Sequence, residues 1–248
     1  MKTIYILWLR QLKRYFRSKA RIIGSLGQPI LFLVALGFGF GPIFQKAGGG
    51  NYIEFLSPGI IAMSILFTAV FSGIEIIWDR QFGFLKETLV APVPRLKIMI
   101  GRTLGGATVA VFQGVIVLII SFFLGFKLIN AGALPLALLF MLLIAILFTA
   151  LGTAIASVLE DMQGFQLIIN FLIMPLFFLS GALFPLTGLP GAISIITKID
   201  PLSYGVDGLR GALSGVTSFG IITDFAVLVI VTGILMIVGA KLFDKIEI

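Results

Sequence analysis

Six windows of this sequence approach or exceed about 20 predominantly apolar residues, at positions 22–44, 58–77, 104–126, 134–159, 165–184 and 225–243. No other feature restricts the possible folds as much. A run of that length crosses the hydrocarbon core of a bilayer, where no water satisfies backbone N–H and C=O groups, so each window should be a helix. The charge content agrees: 12% of the residues are charged and 59% are hydrophobic, against about 25% charged in a soluble domain. The expectation is an all-α integral membrane protein, a single transmembrane domain over residues 1–248. It has six transmembrane helices, an N-terminal amphipathic interfacial helix and a short re-entrant helical segment before the last span.

Between the second and third windows lies Trp78 to Arg102, which carries Arg80, Lys86, Arg95, Lys97 and Arg102 with one glutamate, Glu87. A loop this basic between two apolar runs stays on the cytoplasmic side. Phe82, Phe84, Leu85, Leu89 and Val90 give it an apolar face at helical spacing, which predicts a short helix under the membrane against which a soluble partner could push. The turn between the fourth and fifth windows, Glu160-Asp161-Met162-Gln163, falls on the same side and is acidic. Of the 18 Lys and Arg residues, only Lys46, Lys127, Lys198 and Arg210 fall on the other side. That asymmetry predicts that both termini are cytoplasmic.

Residues 1–21 segregate by face. Ile4, Tyr5, Trp8, Leu9, Leu12, Tyr15 and Phe16 share one arc of a helical wheel, and Arg10, Lys13, Arg14 and Arg17 occupy the other. This pattern suits a helix lying in the headgroup plane with membrane lipids as its partner. The cations interrupt it too often for a signal peptide.

The chain has no Cys and no His, which removes thiol chemistry and the commonest metal ligand and general base. The spans hold Ser64, Ser72, Ser121, Ser157 and Ser180 without a base beside them, so these read as helix–helix hydrogen bonders rather than nucleophiles. The net charge of +7 lies along membrane-facing segments, so nucleic acid is not an expected partner. Glu75, costing about 2.5–3.5 kcal/mol at mid-membrane, sits one turn from Trp78 and reads as a carboxylate at the headgroup edge. Pro175 predicts a kink in the fifth span.

From 185 to 223 the hydrophobicity is broken by Pro190, Lys198, Asp200, Pro201, Asp207 and Arg210. Ala192 to Thr197 is too short to cross and reads as a re-entrant or surface helix, shielded by protein if it enters the membrane. Asp207 and Arg210 are one helical turn apart and are expected to pair, as a structural brace or as part of an exit gate.

Three stretches together resemble the signatures of type-2 ABC exporter permeases. The first is Arg80 to Arg95, with Gly83, the Leu85-Lys86-Glu87 step and Val90-Ala91-Pro92-Val93-Pro94-Arg95. The second is Leu179-Ser180-Gly181-Ala182-Leu183-Phe184-Pro185-Leu186. The third is Asp200-Pro201-Leu202-Ser203-Tyr204-Gly205-Val206-Asp207-Gly208-Leu209-Arg210, in which Asp200 stands where Asn is usual and Ser203 where Thr is usual. The resemblance covers essentially the whole chain.

It implies the membrane-spanning subunit of an ATP-driven exporter in the plasma (inner) membrane of a prokaryote. A cytosolic ABC ATPase subunit would be one partner, with ATP and Mg on that subunit and no cofactor on this chain. A second permease copy, the same chain or a different one, would complete the path. The sequence contains no G-x-x-x-x-G-K-[ST] loop, so energy for uphill movement would arrive from another chain. Arg80, Gly83, Glu87, Pro92, Arg95, Glu160 and Asp161 are the expected coupling residues. Pro185, Pro201, Tyr204, Asp207 and Arg210 are the expected outer gate. The apolar, Phe-rich spans suit an amphipathic, lipid-linked or drug-like cargo. A passive channel and an intramembrane enzyme are the alternatives, and flux without a nucleotide-hydrolysing partner distinguishes the first of these.

Overall fold

A computed structural model describes residues 2–48, 50–85, 93–186, 188, 190–244 and 246. These form ten α-helices and one 3-10 turn, with no strand among the described residues. In chain order they are α1 (Lys2–Arg17), α2 (Lys19–Lys46), α3 (Tyr52–Phe71), α4 (Ile74–Gln81), α5 (Arg95–Phe123), α6 (Leu134–Val158), α7 (Met162–Leu179), α8 (Gly191–Ile199), α9 (Pro201–Ser214) and α10 (Ile221–Asp244). The 3-10 turn Ala131–Ala133 leads into α6. Six segments are long and apolar enough to cross a membrane: α2, α3 with α4, α5, α6 with its preceding turn, α7 and α10. The protein is thus an all-helical, multi-pass membrane protein.

Helix α3 is the centre of the bundle. Every residue from Leu56 to Leu66 is buried, which requires neighbours on all sides. Helices α2, α5, α6 and α9 supply them. By contrast α10 exposes Ile222, Val229, Ile230, Ile234, Ile237 and Val238, and α7 exposes Leu167 and Phe171. Apolar faces of that extent suit lipid as solvent. Close approach of the central helices rests on glycine. A Cβ at Gly152 of α6 would overlap the Val70 carbonyl oxygen, and one at Gly73, between α3 and α4, would overlap that of Gly152.

The chain extends beyond the predicted windows. Helix α5 begins at Arg95, not near residue 104, so Lys97 and Arg102 are helical rather than part of a loop. The second window starts at Tyr52, where the Asn51 side chain accepts a hydrogen bond from the Ile53 N–H. Helix α7 runs without interruption through Pro175.

The segment before the last span carries the expected short helix and a second, buried one. The short stretch 192–197 lies within α8, whose Ile195, Ile196 and Ile199 are exposed. The buried element is α9, covered by protein from Leu202 to Leu213 apart from Tyr204 and packed against α3, α6 and α10. Gly208 lets it lie on Phe140 of α6, where a Cβ would collide with the ring. Its charged residues broke the hydropathy pattern, yet each is hydrogen-bonded inside the fold, which makes burial tolerable.

Candidate functional site

Crossing six times returns the chain to the end where it began. That end, here the basic end, gathers α1, the α4 C-terminus, the α5 N-terminus, the α6–α7 turn and the α10 C-terminus. The far end gathers the α7–α8 turn, α8 and α9.

At the basic end, α4 places Glu75 and Asp79 one turn apart on the same face, both buried. Four guanidinium groups from three helices surround them. Arg21 of α2 meets Glu75 at 2.8 Å. Arg14 of α1 lies 3.6 Å from Glu75 and 3.7 Å from Asp79. Arg10 of α1 reaches Asp79 at 3.2 Å, and Arg102 of α5 binds its other oxygen. Arg14 also stacks over the Trp78 ring at 5.4 Å. Buried carboxylates persist because they are paired. Glu75 is therefore held in a buried ion-pair network. Sequence reasoning missed Asp79, Arg102 and Arg21. The readable signal was the spacing of Glu75 and Asp79 facing an arginine-rich neighbour.

Helix α1 lies along the first half of α5. Its Leu7 and Gln11 sit over Gly101 and Gly105. Trp8 Nε1 donates to Thr108 Oγ1 at 3.0 Å and Tyr15 OH to Gln113 Oε1 at 2.7 Å. Part of the predicted lipid-facing arc therefore packs on protein, while Tyr5 and Phe16 stay exposed. The cationic arc also divides. Arg10 and Arg14 hold carboxylates, whereas Lys13 and Arg17 are exposed and have no ion-pair or hydrogen-bond partner among the described residues.

The expected coupling residues are partly brought together. Arg80 Nη1 donates to the Leu159 carbonyl at 3.3 Å and lies 3.7 Å from Glu160 Oε1. Gln81 Nε2 donates to the Glu160 carbonyl at 3.5 Å, so the end of α4 is latched to the α6–α7 turn. Asp161 caps α7 by accepting from the Gly164 N–H. Gly83, just after α4, has φ +79°, a conformation that disfavours a side chain. Arg95 turns instead toward its own chain, donating to the carbonyls of Asp244 and Ile246. Glu87 and Pro92, with Leu89 and Val90 of the predicted loop helix, lie outside the described residues.

At the far end the expected Asp207–Arg210 pair is absent: no ion pair joins the two among the described residues. Each has backbone to satisfy. Asp207 accepts from the Ser218 and Phe219 N–H groups and holds the turn into α10. Arg210 donates to the Gly181 carbonyl at 2.9 Å and lies 4.1 Å over the Phe55 ring. Burial pulls the Arg210 guanidinium down to about 10. Asp200 caps α9 through the Leu202 N–H at 2.8 Å, and burial pushes its carboxyl up to about 7. Pro201 occupies the first turn of α9. Tyr204 OH donates to the Lys198 carbonyl at 2.8 Å, with its ring 4.9 Å from Phe219. Pro185 and Arg210 line an open cavity of 520 Å³ with Glu54, Phe55 and Lys127. Among the described residues no three Asp or Glu gather closely enough to hold a metal ion.

Comparison with known proteins gives one consistent result. The family described as "ABC-2 type transporter" matches residues 2–214. The chain is 31% identical over 222 residues to "Putative transport permease ycf38" of Pyropia yezoensis, covering 87% of this chain and 75% of that protein. It is 27% identical over 227 residues to "Inner membrane transport permease YadH" of Escherichia coli (strain K12), covering 90% and 88% respectively. It is 30% identical over 198 residues to "Nodulation protein J" of Rhizobium meliloti (strain 1021), covering 79% and 75%.

Proposed function

Because this chain belongs to the ABC-2 type transporter family, we propose that it forms half of an export path driven by a separate cytosolic ATPase, with a second permease copy as the other half. The membership itself makes it the membrane subunit of an ABC transporter. The basic end then faces the cytoplasm, as its cations favour, and both termini lie there. The E. coli relative's name places that protein in the inner membrane, and we assign this chain to the corresponding membrane.

The observation that carries this reading is the anchoring of α4. Four arginines from α1, α2 and α5 hold Glu75 and Asp79, and Arg80 ties its end to Glu160. A push by the ATPase on the segment after α4 would reach α1, α2, α5 and α7 together rather than bend one loop. Two discrete arrangements of such a block would alternate access to the path. ATP and Mg bind the partner, and the cargo is an amphipathic, lipid-linked or drug-like molecule suited to apolar walls.

The test is purification of the native complex, reconstitution into vesicles, and a screen of lipids, glycans and drugs for ATP-dependent movement. Glu87→Ala should leave insertion and ATP hydrolysis intact while abolishing cargo movement. Wild-type transport by that variant removes Glu87 from coupling, and flux without the ATPase overturns the exporter reading in favour of a passive channel.

A further inference from the structure

A groove of 570 Å³ runs between α1 and the end of α4 at the basic end. Its lining is of two kinds. Arg10, Lys13, Arg14 and Arg17 present four cations, against a single carboxylate, Asp79. That carboxylate is already committed to Arg10, Arg14 and the buried Arg102, so the groove keeps a strong positive excess. Ile6, Leu9, Trp78, Phe82 and Phe84 supply the rest of the wall. Ile6 is 62% and Phe82 73% exposed, so this apolar wall continues onto the outer surface.

From this geometry we infer that the groove is a resident binding site for an anionic phospholipid, with its phosphate among Arg10, Lys13, Arg14 and Arg17. The cations follow one helical stripe, with Arg10, Lys13 and Arg17 three and four residues apart. Lys13 and Arg17 are exposed and unpaired among the described residues. Arg10 and Arg14 keep about a third or more of their side chains accessible and have guanidinium N–H groups to spare beyond their carboxylate bonds. Arginine forks match phosphate oxygens in pairs, and juxtamembrane cations draw anionic headgroups. An acidic protein rim would satisfy the charges but leave the exposed Ile6 and Phe82 side chains in water, whereas acyl chains cover them. Because α1 packs along the membrane-crossing α5, headgroup and chains can be met at once. The site does not depend on what the transporter moves, nor on the ATPase.

The experiment uses the purified full-length chain in zwitterionic detergent, with short-chain phosphatidylglycerol, short-chain phosphatidylcholine or inorganic phosphate added. Native mass spectrometry and thermal unfolding are the readouts. Phosphatidylglycerol should remain bound and raise Tm; phosphatidylcholine and phosphate at the same concentration should not. Lys13→Gln with Arg17→Gln, two exposed side chains outside the ion-pair network, should weaken phosphatidylglycerol binding roughly tenfold or more. Lys13→Arg with Arg17→Lys should retain it. Equal protection by phosphate reduces the groove to a simple anion site and overturns the lipid assignment. So does unchanged lipid binding by the neutral double variant, including the case where that variant loses only its ATPase partner.

Discussion

Asp200 shows how one side chain can write a pH dependence into this fold. It caps α9 at a buried position, and its carboxyl is raised to about 7 from roughly 3.9 in an unfolded chain. A raised carboxyl contributes stability that is fully present below the unfolded value and is lost as pH climbs through the folded one. Between about pH 4 and 7 the native state should therefore weaken, by up to about 4 kcal/mol from this group. Asp200→Asn keeps the cap and should flatten that slope, matching the parent at pH 4 and exceeding its unfolding midpoint at pH 8. Asp79 is the opposite case, a paired charge. Asp79→Ala strands Arg102 and should cost about 3–5 kcal/mol. Asp79→Leu with Arg102→Leu should cost less than either single change, measurable as a double-mutant cycle in denaturant.

Among the elements, the central packing makes a sharp distinction between glycines. Gly152→Ala on α6 sets a methyl group against the Val70 carbonyl, and should destabilise by about 1–3 kcal/mol as α3 and α6 separate. Gly39→Ala on α2 meets nothing within 4 Å and should be neutral or slightly stabilising in the same melt. The six spans were legible because hydrocarbon imposes length and apolarity together. Helix α9 was not, because hydropathy registers Asp200, Asp207 and Arg210 as polar without knowing that backbone groups wait for each. The amphipathic start was legible as a helix, while its docking partner was not: nothing in residues 1–21 points to Gly101 and Gly105. The Arg80–Glu160 contact also joins residues that the sequence could name only separately.

For the whole molecule, the contact between Arg80 and Glu160 offers a test that separates stability from the coupling proposed above. The pair is partly exposed, so its removal by Arg80→Ala should change unfolding by no more than about 1 kcal/mol. In reconstituted vesicles with the ATPase present, the same variant should hydrolyse ATP while moving less cargo per turnover. A parallel fall in hydrolysis and transport would instead mark Arg80 as a docking residue. The burial of α9 has a further consequence, for biogenesis. Its Asp207 accepts from the backbone N–H groups of Ser218 and Phe219, and α10 forms part of its cover. Those residues follow α9 in the chain, so during synthesis the helix stays unsheltered, with Asp207 lacking its backbone partners, until the turn after it and α10 have emerged.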